Sequence, residues 1–215
     1  MRTRVKICGI TRVEDGVAAA RAGADAIGLV FWSGTPRCVG FELARTVVAA
    51  LPAFVSVVGL FVDPTPEAVR TALSEIPLDL LQFHGDERPD FCSSFGRPYI
   101  KAIPVKPEID LLQYAALYAG ARGLLLDAFQ PGGLPGGTGT TFDWNQIPGS
   151  FPRPLILSGG LTPQNVASAI RSVRPWAVDV SSGVEITATD GRPRRGIKSP
   201  QKIAAFIREV RNADG

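Results

Sequence analysis

Apolar runs rich in β-branched residues return about every 20 to 30 residues, and this period constrains the fold more than any other feature of the chain. In order they are RVKICG (4–9), DAIGLVF (25–31), VSVVGLFV (55–62), LDLLQF (78–83), YIKAIPV (99–105), GLLLDAF (123–129), PLILSGG (154–160) and AVDVSSG (177–183), and each reads as a strand. The segments between them carry helix-start signals. Thr11-Arg12-Val13-Glu14 reads as a capping box opening VEDGVAAARAG, with Gly23 as its stop. Thr65-Pro66, Thr162-Pro163 and Ser199-Pro200 each set a cap residue before a proline suited to the first helical turn. The last opens QKIAAFIREVRN, with Ile203, Phe206, Ile207 and Val210 on one face. Eight such units in 215 residues predict an α/β fold, a (β/α)8 TIM barrel built as a single domain, because closing the sheet leaves no edge strand. An open doubly wound sheet calls for a G-x-G-x-x-G turn after the first strand, and CGITRVEDG does not supply one.

Composition narrows the function by exclusion. The net charge is only +3, and the one basic cluster, Arg192, Arg194 and Arg195, reads as solvated side chains in a Gly/Pro-rich loop, so a nucleic-acid partner is not expected. No signal-like apolar region or membrane-length run is present, and a soluble, cytoplasmic protein working as a monomer or homodimer is the expectation. Cys8, Cys38 and Cys92 are widely spaced, without a C-x-x-C pair, and suggest neither a disulfide framework nor a zinc site. A single histidine, His84, rules out a multi-histidine metal centre; proton transfer near neutral pH then rests on His84 or on a retuned Cys, Asp, Glu or Lys.

In this fold the active site lies at the C-terminal ends of the strands, so each strand is read for what it leaves there. Strand 1 leaves Cys8-Gly9, with Lys6 on the same face; alone, these would read as a small buried hydrophobe and a snorkelling amine. Strand 2 leads to WSGTPRCVG with Arg37, strand 4 ends at His84, strand 6 at Asp127, and strand 8 at Asp179. Gly159-Gly160 and Ser182-Gly183 follow strands 7 and 8, where barrels often hold a phosphate with backbone N–H groups that glycine leaves accessible. The ligand expected is therefore a phosphorylated small molecule. Asp127, set after three leucines, suits a proton-donating carboxyl or a turn aspartate, and the PGGLPGGTGTTFDW that follows suits a lid over it. His84 either faces the site or satisfies backbone groups in its turn.

KICGIT, GTPRCV, LQFHGDE, LLLDAF with GGTGTTFDW, LSGGLTPQNV, and VDVSSGVE with a downstream GIKSPQKI resemble, in order from residue 4 to about residue 210, the phosphoribosylanthranilate isomerase family of tryptophan biosynthesis. The resemblance implies an Amadori rearrangement of N-(5-phosphoribosyl)anthranilate to 1-(2-carboxyphenylamino)-1-deoxyribulose 5-phosphate, with neither metal nor organic cofactor. It implies Cys8 as general base, Asp127 as general acid, Arg37 at the anthranilate end, and phosphate binding by Gly159, Gly160, Ser182 and Gly183. Thr35 stands where the family usually has serine. Beside it, Lys6 is a candidate to activate the Cys8 thiol, Asp179 to orient substrate or hold an arginine, and His84 to contact substrate. The rivals are the sugar isomerase of histidine biosynthesis (which has an aspartate at the end of strand 1), a dual-substrate barrel, a metal-dependent phosphopentose epimerase, and a non-catalytic sugar-phosphate binder. Cys8 argues against the first, the histidine count against the epimerase, and the pair of proton-transfer groups against a simple binder.

Overall fold

The structure is a computed structural model that describes residues 2–106, 108–128, 142–188 and 193–215, and in it all eight apolar runs are strands. β1 (Arg4–Cys8), β2 (Ala26–Val30), β3 (Ser56–Phe61), β4 (Leu80–Phe83), β5 (Tyr99–Val105), β6 (Gly123–Ala128), β7 (Leu155–Leu157) and β8 (Ala177–Val180) pair in parallel, and β8 returns to β1 to close the barrel. The strands stop earlier than the runs suggest where glycine begins to turn the chain. β7 ends at Leu157, since Gly159 and Gly160 adopt φ of 83° and 62°, values that no extended ladder uses. Phe129 lies outside the described residues.

Among the described residues seven α-helices cover the barrel: α1 (Val13–Ala22), α2 (Phe41–Ala49), α3 (Pro66–Glu75), α4 (Pro89–Ser93), α5 (Leu111–Leu117), α6 (Val166–Val173) and α7 (Pro200–Asp214). Thr65 and Ser199 cap α3 and α7 as expected, and Gly23 ends α1 in the left-handed conformation. Two expected caps are not formed. Thr11 does not cap α1, because its hydroxyl donates instead to the Gly196 carbonyl; Arg12 opens the helix and pairs with Asp15 at 2.6 Å. The Thr162-Pro163 helix begins later, behind Asn165, since Thr162 spends its hydroxyl on the N–H of Gln164 in a preceding turn. Between β6 and β7 the described residues hold only a 3-10 turn, Trp144–Gln146. Arg194 and Arg195 lie not in a loop but on β10 (Pro193–Lys198), which pairs antiparallel with β9 (Glu185–Thr187) to form a hairpin beyond β8; Arg192 is outside the described residues.

Alternation along each strand divides the core in two. Leu80, Ile100, Ala102, Leu125, Ile156 and Ala177 point inward and fill the N-terminal half of the barrel. Their neighbours point outward beneath the helices, where Phe61 stacks on Phe31 at 5.5 Å and Phe83 meets Phe91 edge-on at 5.8 Å. Burying one such phenyl ring contributes roughly 1.5–3 kcal/mol. A one-residue slip of β4 would put Phe83 in the site and Gln82 and His84 in this layer, so the aromatic packing sets the register that aims both polar side chains inward.

Candidate active site

The C-terminal ends of the strands open onto a cleft of about 610 Å³ including its mouth. Cys8, Arg37, His84, Asp127, Gly159, Gly160, Asp179 and Ser182 all line it, together with Trp32, Ser158 and Ser181. Lys6 lies beneath this layer against Asp179. Gly183 stands behind the wall: a Cβ there would fall 1.9 Å from the Leu161 carbonyl oxygen, so glycine is what lets the loops after β7 and β8 touch.

Barrel closure makes Lys6 and Asp179 register partners on β1 and β8, both facing inward, and Lys6 Nζ donates to Asp179 Oδ1 at 2.8 Å. Asp179 thus holds a lysine, not an arginine, and also accepts from Ser158 Oγ at 3.4 Å. Burial works against the Lys6 charge, but Asp179 and Cys8 together outweigh it and the ammonium titrates above its ordinary value. For Cys8 the balance runs the other way. Burial pushes the thiol up, Lys6 pulls it down, Asp179 adds to the rise, and the net shift is upward. Lys6 therefore acts on Cys8 in the expected direction without prevailing. Gly28, paired with Cys8 on β2, makes room for both: a Cβ at 28 would lie 2.7 Å from Cys8 Sγ and 3.1 Å from Lys6 Cε.

On the facing wall, His84 Nε2 meets Asp127 Oδ2 at 3.0 Å, and its Nδ1 meets Gln82 Nε2 at 2.9 Å. Asp127 Oδ1 accepts the N–H of Ala128 at 3.0 Å. His84 thus faces the cleft. Its turn is braced from behind by buried Lys101, which donates to the carbonyls of Phe83 and Gly85 and pairs with Glu87 at 3.3 Å. Glu87 in turn accepts from the N–H of Gly85.

Arg37 is buried with its guanidinium on Glu185, Nε to Oε1 at 2.7 Å and Nη2 to Oε2 at 3.0 Å. Lys198 Nζ reaches the same carboxylate at 3.2 Å and the Ser181 carbonyl at 3.0 Å. Burial alone would raise Glu185, but the Arg37 hydrogen bond and the two cations outweigh it and hold its pKa below the ordinary value; burial lowers that of Lys198, against the pull of Glu185. Gln82, Gly28, Glu185 and Lys198 were not among the site residues read from sequence. Gln82 had the clearest signal, being two residues before His84 on one strand face, whereas Gly28 owes its place to pairing with β1, and Glu185 and Lys198 to the hairpin beyond β8. The lid expected from the glycine-rich stretch lies outside the described residues through Thr141. Among the described residues no cluster of three or more His, Cys, Asp or Glu side chains is placed to hold a metal ion.

A family profile described as N-(5'phosphoribosyl)anthranilate (PRA) isomerase matches residues 5–209. The N-(5'-phosphoribosyl)anthranilate isomerase of Thiobacillus denitrificans is 56% identical over 211 residues, spanning 98% of this chain and 99% of its own. The crystal structure of phosphoribosyl anthranilate isomerase from Thermus thermophilus superposes with a TM-score of 0.85 at 36% identity, covering 98% of this chain and 99% of that one. A second solved isomerase, in complex with reduced 1-(o-carboxyphenylamino)-1-deoxyribulose 5-phosphate, gives 0.79 at 37% identity, with 98% and 99% coverage. With the closed barrel and the cleft described above, these likenesses establish that the chain belongs to the N-(5'-phosphoribosyl)anthranilate isomerase family.

Proposed function

We propose that this one barrel domain carries out the family's isomerisation of N-(5'-phosphoribosyl)anthranilate, in tryptophan biosynthesis, by general acid–base catalysis between Cys8 and Asp127. The observation that carries the reading is their placement on two walls of one cleft whose rim is formed by the glycine loops after β7 and β8. Asp127 gives its carboxyl proton to the furanose ring oxygen as the C1′–O bond breaks, and the anthranilate nitrogen lone pair forms the Schiff base. Cys8, as thiolate, takes the C2′ proton, and the C–H electron pair neutralises the iminium to an enolamine. Loss of the enol proton and protonation of C1′ give the ketone, so proton transfers account for the whole reaction. The Ser182 hydroxyl and the backbone at Gly159 and Gly160 suit a phosphate, with Gly183 setting the approach of the two loops. Arg37, oriented by Glu185, faces the cleft where an anthranilate carboxylate would lie. Among the described residues no helix is long and apolar enough to cross a membrane, and we place the activity in the cytoplasm.

Two substrates test this. The protein is expected to consume N-(5'-phosphoribosyl)anthranilate, followed as loss of its fluorescence, and to leave the sugar-phosphate substrate of the histidine-pathway isomerase unchanged. Turnover of the second alone would overturn the reading.

A further inference from the structure

Gln82 is wholly buried on the inward face of β4, and its side-chain Oε1 has no hydrogen-bond partner among the described residues, while its Nε2 meets His84 Nδ1 at 2.9 Å. A leucine would fill that space without an orphaned polar atom, so what distinguishes the amide here is the end that meets the ring. A half-turn about the terminal torsion exchanges the amide oxygen and nitrogen with almost no change of shape, and the two settings impose different proton positions on His84. With the amide N–H toward it, Nδ1 must carry a lone pair; the ring proton then sits on Nε2 and is donated to Asp127 Oδ2, and that oxygen has no proton of its own to give. With the amide oxygen toward it, Nδ1 carries a proton. Nε2 then accepts the carboxyl proton of Asp127, or holds that proton against the carboxylate. Only the second setting places an acid proton between the ring and the carboxyl group.

We propose that Gln82 is a positioning residue for the general acid: its Oε1 faces a protonated Nδ1 of His84 in the enzyme ready for substrate, and His84 Nε2 shares the proton that Asp127 delivers to the ring oxygen. The inference rests on the assignment of Asp127 as the acid and adds the two groups that keep it loaded. It gives the single histidine a task in proton supply.

Because the chain has one histidine, two-bond 15N–1H correlation spectra of histidine-labelled protein show a single ring. The wild type is expected to show a protonated Nδ1 at the pH of the activity assay, and a neutral ring protonated only on Nε2 would overturn the proposal. In Gln82→Met the ring is expected to shift to the Nε2–H form while kcat falls about 10- to 100-fold and KM stays within about 2-fold. Unchanged kcat, or a lost kcat with an unaltered ring spectrum, would also overturn it. If that variant does not fold, the wild-type spectrum alone decides. Full activity in Asp127→Asn would instead remove the acid assignment, an outcome separate from the ring's tautomer.

Discussion

Cys8 Sγ and Lys6 Cε both border the space that Gly28 leaves empty, 2.7 and 3.1 Å from where a Cβ at 28 would stand. Lys6 pulls the thiol down, yet burial and Asp179 leave the net shift upward, so the proposed base rests as a thiol. Only the thiolate accepts a proton, and kcat/KM should therefore rise with pH toward the raised Cys8 value. In Lys6→Met the downward pull is gone and Asp179 still faces the thiol, so that rise is expected to move to higher pH. A pH–rate profile on folded protein checks it, and an unmoved profile would show that Lys6 has no electrostatic hold on Cys8. The stretch VKICGIT made the shared face of Lys6 and Cys8 legible through strand alternation alone. It said nothing of Asp179, 173 residues beyond Lys6, because that neighbour exists only once the barrel closes.

The eight barrel strands were legible because each is a compact apolar run bounded by glycine, proline or polar turns. The β9–β10 hairpin was not: its strands are short, rich in arginine and glycine, and stabilised by one buried carboxylate rather than by an apolar face. That hairpin also diverted Thr11 from its expected cap by offering it the Gly196 carbonyl. Glu185 holds the element together, accepting from Arg37, Lys198 and the Gly196 N–H at once. Glu185→Gln would take from Arg37 and Lys198 the buried carboxylate they share, at a cost of about 3–5 kcal/mol near neutral pH. The folded-state pKa of Glu185 lies below its ordinary 4.5, so its contribution is full above that value and is lost as pH falls through the lower folded one. Urea melts should therefore show a wide gap between wild type and Glu185→Gln near neutral pH and a narrowing gap below 4.5. A gap that stays constant through this range would contradict the charge-pairing account.

At the scale of the whole barrel, closure carries residues from the first, second, fourth, sixth, seventh and eighth units to one rim, which is why chemistry spread from Cys8 to Ser182 shares a single cleft. The Gly159-Gly160 and Ser182-Gly183 loops after β7 and β8 could be read from sequence because they stand at matched positions in adjacent units. The ion pairs that orient Arg37 and Lys6 could not, since no local pattern records which strands become neighbours. The central claim is that Cys8 and Asp127 divide the proton transfers, and the direct measurement is turnover of N-(5'-phosphoribosyl)anthranilate by Cys8→Ala and Asp127→Asn beside the wild type, read as loss of substrate fluorescence. Each variant is expected to stay folded, to bind substrate within a few-fold of wild type and to lose at least about 100-fold in kcat. Near-wild-type turnover by Cys8→Ala would contradict the account.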